Sequence, residues 1–297
     1  MSPSRQELPP EHPDTLTSRH DHAIELGIQG KYAEEEAEHR TVLAIRERVL
    51  GPEHSDTLQS RHNLANTLLA QEKNAEAEAE HRVVLAIRER ALGPEHPDTL
   101  QSRNNLANTL SAQGKNAEAE AEHRAVIAVW ERAFGPEHPD TLASRHDLAI
   151  ELDIQEKYAE EEAEHRAVLA IRDRVLGPEH PDTLSSRHNL ANALEAQGKN
   201  AEAETERRAV LAVRERVVGP EHTDTLLSRY SLSVSLESRG DEKDQTGEKD
   251  AARALWQEAM DHARTVQAAG ARVFGSEHPY LEFFDQQVAD LKAKLNE

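Results

Sequence analysis

Apolar positions fall in stripes three and four residues apart, and the stripes themselves recur along the chain. In residues 55–71, SDTLQSRHNLANTLLAQ, Leu58, Leu64, Ala65 and Leu68 line one side of a helix and polar residues fill the rest. Gly51-Pro52 breaks the chain ahead of it, and Asp56 stands in the first turn, where a negative charge favours the positive end of the helix dipole. A second helix is predicted from about Asn74 to Leu92, with Ala77, Val84, Leu85 and Ile87 as its apolar side. Glu76, Glu78 and Glu80 near its start, and Arg88 and Arg90 near its end, again suit the dipole. Pro13, Pro97, Pro139 and Pro181 open first helices, where a missing N–H costs nothing. Gly30-Lys31, Gly114-Lys115 and Gly198-Lys199 turn the chain into second helices.

This pair of helices repeats. The phrase around Pro-Glu-His-Pro-Asp-Thr-Leu puts a leucine at Leu16, Leu58, Leu100, Leu142, Leu184 and Leu226, each 42 residues after the last. One pair cannot bury its stripe alone. Stacked neighbours can, and Ala65, Ala107, Ala149 and Ala191 let their helices approach closely. The pattern divides the chain into a tail and the end of a partial repeat at 1–12, where Leu8-Pro9-Pro10-Glu11-His12 has the look of the close of an absent repeat. Six pairs follow at 13–54, 55–96, 97–138, 139–180, 181–222 and 223–278, and a closing helix at 279–297. The sixth pair carries a 14-residue insertion, with 240–247 (GDEKDQTG) predicted as a polar loop and Asp250–Phe274 as a longer second helix. Leu281, Phe284, Val288, Leu291 and Leu295 share one side of the closing helix, as expected of a cap over the last apolar face.

Charge narrows the partners. Asp and Glu outnumber Lys and Arg 56 to 35, a net charge of −21, which repels phosphate backbones and anionic lipid headgroups; nucleic acid and membrane are not expected partners. Aromatics are only 3%, so the core must be aliphatic. With no cysteine, disulfides and thiolate chemistry are excluded. Neither a secretory signal in 1–12 nor a membrane-length apolar run is present, and the expected location is cytoplasmic.

Seventeen histidines raise the question of metal or acid–base chemistry. His12, His54, His96, His138, His180, His222 and His278 stand one period apart, hence about 10 Å from each other in a stack. Metal ligands must converge to about 2 Å from one ion, so a structural role is the better reading and no metal is expected. The same holds for His39, His81, His123 and His165. No HExxH, phosphate loop or Gly-x-Ser-x-Gly occurs, and neither catalysis nor a cofactor is expected. Two readings stand for the Glu runs at 33–38, 75–80, 117–122 and 159–164: a solvated outer face, favoured, or an attractor of a basic partner. Two also stand for Arg61 and its equivalents: bridges between neighbouring helices, favoured, or the lining of a ligand groove.

The pattern Asn-Leu-Ala…Leu…Gln-Gly-Lys…Ala-Glu-Ala-Glu…Arg…Val-Leu-Ala-Ile-Arg-Glu-Arg, followed by Leu-Gly-Pro-Glu-His-Pro-Asp, resembles the 42-residue tetratricopeptide repeat of kinesin light chains across about residues 13–297. It departs from that pattern at Arg19, Arg61, Arg103, Arg145, Arg187 and Arg229, where the family usually has leucine. The resemblance implies an all-α, right-handed superhelical solenoid of antiparallel helix pairs. It also implies a protein-interaction scaffold that holds an extended peptide in a concave groove lined by the first helices. Mapped onto the motif, the groove positions are His20, His62, Asn66, Asn104, Asn108, His146, Ile150, Asp153, His188, Asn192, Glu195 and Tyr230. Asparagine suits a peptide backbone because its amide both donates and accepts. Asp153, Glu195 and Glu237 predict a partner with Lys or Arg toward the C-terminal half. The alternative is a self-associating or regulatory sensor array that belongs to a larger signalling system.

Overall fold

Every first helix begins with the same capping device, and it is made by the loop histidines. His12, His54, His96, His138, His180 and His222 are N-caps whose Nδ1 accepts a hydrogen bond from the backbone N–H two residues on, at 3.2–3.3 Å. An otherwise unsatisfied helix-end donor is thereby partnered. This computed structural model describes Pro9 and residues 11–296. Most of the tail assigned to 1–12, and Glu297 at the chain end, lie outside the described residues.

Among the described residues there are thirteen helices and no strand. The first helices are α1 (Pro13–Ile28), α3 (Ser55–Ala70), α5 (Pro97–Ala112), α7 (Pro139–Ile154), α9 (Pro181–Ala196) and α11 (Thr223–Gln245). Alternating with them are α2 (Tyr32–Leu50), α4 (Asn74–Leu92), α6 (Asn116–Phe134), α8 (Tyr158–Val175), α10 (Asn200–Val217) and α12 (Lys249–Phe274). α13 (Tyr280–Leu295) follows. The chain forms two compact units, residues 1–155 and 156–297. Within each, consecutive helices pack on one another.

In the first unit the core is built from the periodic stripe: Leu43, Leu64, Ala65, Leu68 and Ala77 form one buried cluster, and Leu106, Leu110 and Ala119 another. The repeated arginine spans helices, as its recurrence suggested. Arg61 binds Glu47 of the preceding helix and Glu80 of its own partner helix, and Arg19 binds Glu38 at 2.8 Å. The Glu runs do more than face solvent. Glu36 on α2 accepts from Lys73 (2.7 Å) and Gln71 (2.9 Å) of the next repeat and from Arg40 (2.8 Å) of its own. Glu78 does the same with Lys115, Gln113 and Arg82.

The second unit repeats these links, with Arg187 bound to Glu206 at 2.8 Å and Glu162 to Lys199 at 2.6 Å. Its last pair corrects one expectation. Residues 240–245 are not a loop: α11 runs helical through Gly240, and the 14 inserted residues lengthen α11 and α12 alike, to 23 and 26 residues against 16 and 19 in α3 and α4. Gly240 is there because a Cβ at that point would collide with the Trp256 indole. α13 lays Val288, Leu291 and Leu295 against Leu232, Leu236 and Met260, and Phe284 against Leu226 and Val266. No helix of the described residues is long and apolar enough to cross a membrane.

Candidate functional site

Side-chain hydrogen bonds stitch the first helices of the first unit together edge to edge. Asn63 on α3 reaches His20 Nδ1 on α1 (3.4 Å), Asn105 on α5 reaches His62 Nδ1 on α3 (3.1 Å), and Asn104 on α5 donates to Ser144 Oγ on α7 (3.1 Å). These helices therefore share a face. On it lie half-buried His20, His62 and His146, and exposed Asn66, Asn108, Ile150 and Asp153. Asn104 is the exception among the expected groove residues. It is 5% exposed, turned inward to Ser144, and cannot meet a ligand from that position.

The face is polar but carries little positive charge. Under His20 and His62 lie the buried rings of His39 and His81, with centroids 5.7 and 5.6 Å away. Burial, helped by the neighbouring ring, pulls His39 and His81 down to about 4; burial alone does the same to His123. Burial first, and Arg88 second, also lowers His62. Asn66 is engaged with His62 Nε2 at 3.1 Å. Asn108 has no hydrogen-bond partner among the described residues, so its donors and acceptor face outward unused.

Asn108 also opens onto a pocket of about 320 Å³ between α5, α6 and α7, together with Ser111, His123, Asp147, Ile150, Glu151 and Ile154. The sequence reading chose Ile150 here and missed Asp147. A signal was present: Asn63, Asn105 and Asn189 occupy the equivalent places, Ser231 stands in the last repeat, and Asp147 shares its acid with Asp21 of the first repeat alone. Burial holds the Asp147 carboxyl above its ordinary range, partly offset by His146.

In the second unit the expected residues are mostly engaged. Arg207 stands where His39, His81, His123 and His165 stand, and from that buried place it donates to Glu195 (2.7 Å) and to Asn192 Oδ1 (3.0 Å). Glu237 is held by Lys294 at 2.7 Å and Gln287 at 2.5 Å. Neither Glu195 nor Glu237 is a spare negative charge for a ligand. His188 and Tyr230 line a pocket of about 630 Å³ with Asn189, Arg214, Tyr280 and Phe283; Tyr230 packs its ring 5.2 Å from that of Phe284. The aromatic side of this pocket comes from α13, which no repeat position could have indicated. No three of His, Asp and Glu among the described residues are grouped closely enough to hold a metal ion.

A tetratricopeptide repeat model matches five consecutive stretches, 15–56, 57–98, 99–140, 141–182 and 183–224. No curated protein matches the chain. Among solved structures, nearly identical TPR-like repeats of the kinesin-light-chain type from Podosopora anserina are 33% identical, over 69% of this chain and 98% of that one, with a TM-score of 0.60. BtubC (BKLC) from P. vanneervenii is 17% identical over 89% of this chain and 94% of that one, with a TM-score of 0.58. A Rap protein solved in complex with competence and sporulation factor is 10% identical over 95% of this chain and 76% of that one, with a TM-score of 0.52. The last two likenesses are of fold.

Proposed function

Because the chain belongs to the tetratricopeptide repeat family, a family of non-catalytic scaffolds, we propose that it holds an extended peptide segment of a partner protein along α1, α3, α5 and α7 of its first unit. The observation that carries this reading is Asn108: an exposed amide, without an internal partner, beside a pocket on a face shared by successive first helices. An amide so placed can pair with the N–H and C=O of any peptide backbone, and the pocket beside it can take one side chain. Asn66 stands in the same place one repeat earlier, in contact with His62 Nε2 at 3.1 Å, so a strand of peptide that displaces this contact meets a second amide at repeat spacing. The Rap neighbour, crystallised with its factor, is a protein of this fold that holds a partner.

The test is a selection of peptides from a randomised displayed library on the full chain. Synthetic copies are then measured against the Asn66→Ala, Asn108→Ala double variant. The expected result is a loss of affinity of about tenfold or more, since each hydrogen bond contributes about 0.5–1.5 kcal/mol and about 1.4 kcal/mol is tenfold. Peptides that bind the double variant normally, yet lose affinity when the acidic runs of the second helices are neutralised, would move the site off this face.

A further inference from the structure

The pocket between α5, α6 and α7 is unlike the rest of the first unit in how its charges are left. Elsewhere the amide of the equivalent asparagine is spent on the histidine one repeat back, as Asn63 is on His20 and Asn105 on His62. At the α5–α7 step both members of the pair are changed. The histidine is Asn104, which has turned away to Ser144, and the asparagine is Asp147. Asp147 is thereby released. It has no hydrogen-bond or ion-pair partner among the described residues, although it is half-buried.

The lining has the same bias throughout. Glu151 is buried beside Asp147, with Gln155 Nε2 donating to its Oε1 at 3.0 Å. Thr67, Thr109, Ala193 and Ser235 occupy that position in four other repeats, and Glu25 of the first repeat is the other acid there, so this acid departs from the two repeats that precede it. His123 contributes a third polar group. It is 1% exposed, and its Nδ1 has no hydrogen-bond partner. As a neutral imidazole it offers one ring nitrogen as an acceptor. Among the described residues no lysine or arginine lines the pocket. These acceptors are not grouped closely enough for a metal ion. At the mouth, Ile150 and Ile154 are 48% and 53% exposed and give an apolar edge.

We propose that this pocket receives a lysine or arginine side chain of the bound peptide, its charge set against Asp147 and its aliphatic stem lying across Ile150 and Ile154. The proposal rests on the peptide-binding reading above and names the residue that gives it selectivity. Long cationic side chains carry an apolar stem and a charged head, which matches an apolar mouth leading to acceptor groups. Half-burial strengthens the attraction relative to a surface pair, because the effective dielectric is lower. It also explains a carboxylate left unpaired within the protein, an arrangement that costs stability unless a cation arrives.

The experiment uses the peptides selected on the full chain. They are expected to carry Lys or Arg at one fixed position. Replacing that residue by norleucine, which keeps the stem and removes the charge, should lower affinity about tenfold for the native chain. The same replacement should cost little against Asp147→Asn, a variant that restores the residue found at 63, 105 and 189 and so keeps the fold. Selected peptides that depend on Asn66 and Asn108 but show no fixed basic residue overturn this proposal and leave the peptide-binding reading standing. A norleucine cost as large in Asp147→Asn as in the native chain places the cation elsewhere and also overturns it. Failure to select any peptide overturns both.

Discussion

Asn104 on α5 donates from Nδ2 to Ser144 Oγ on α7 at 3.1 Å, and in doing so takes the place of an arginine. The equivalent hydroxyls of Ser60, Ser102, Ser186 and Ser228 are served by Arg46, Arg88, Arg172 and Arg214, at 2.6–2.9 Å. In the third repeat that arginine is Trp130, which is buried and stacked on His138 with ring centroids 5.4 Å apart. A tryptophan cannot reach the hydroxyl, and the smaller side chain of Asn104 turns in to it. One local change thus empties a groove position and leaves Asp147 without its counterpart.

Removing that hydroxyl should be felt in the fold. Ser144→Ala leaves the Asn104 amide buried without its acceptor, and its Oδ1 already lacks a partner. The expected cost is about 1–3 kcal/mol in urea unfolding. Ser185→Ala, at an exposed position on α9, should change stability by no more than about 0.5 kcal/mol. Equal effects would show that the Asn104–Ser144 bond contributes nothing.

Gly240→Ala should destabilise, against the usual preference for alanine inside a helix. A helical glycine normally costs about 0.5–1 kcal/mol relative to alanine. Here the added Cβ would strike the Trp256 indole, whose Nε1 is fixed to Asp241 at 3.0 Å. Overpacking of this kind costs about 1–3 kcal/mol. A variant that melts higher than the native chain would remove the packing explanation for Gly240.

How far these features were legible depends on whether the residue repeats. His54 and Arg61 recur in every copy, and a structural role for both, with bridging as the favoured reading of Arg61, followed from recurrence because each copy meets the same neighbours; that His54 serves as an N-cap came from the structure. Gly240 has no copy. Residues 240–247 contain no apolar residue and two glycines, which reads as a loop, yet the helix continues because Trp256 and Lys294, both distant in sequence, pack and pair there. Asn104 kept the groove register but not its exposure, since Trp130 on another helix decides that. Glu195 was legible as a groove acid that calls for a cation; that the cation is internal, Arg207 where the four earlier repeats have histidine, was not.

Stability should fall as the pH drops from about 6.5 toward 4. His39, His81 and His123 are held near 4 in the folded chain by burial, against an ordinary value of 6.5. Between those values the unfolded chain binds more protons, so stability rises with pH across the window and falls as acid is added. Each histidine contributes on the order of 1 kcal/mol per pH unit there. Glu36, Glu78 and Glu162 act lower down. Their bonds to Lys73, Gln113 and Lys199 hold them near 2, so their contribution is present above 4.5 and is lost as the pH falls through 2. A urea midpoint unchanged between pH 7 and pH 5 would contradict the histidine part.

Asn66, Asn108 and Asn192 should behave differently when each is changed to alanine, because the protein already uses them differently. Asn108 makes no internal hydrogen bond among the described residues, so its loss should leave stability unchanged and weaken a selected peptide by about twofold to tenfold. Asn66 must first give up its contact with His62, and its single variant should weaken binding less. Asn192 belongs to the fold. Arg207 is buried, with its Nη2 donating to Asn192 Oδ1 at 3.0 Å, and Glu195 completes the site. Asn192→Ala removes one acceptor from a buried charge, so it should lower the urea midpoint by an amount equivalent to about 1–3 kcal/mol. Its effect on peptides held by the first unit should be small. Calorimetric binding and urea unfolding on the same three variants separate these outcomes. Equal losses of affinity at all three positions, with stability untouched, would mean that Arg207 does not hold Asn192 and that the second unit presents a free amide as the first does.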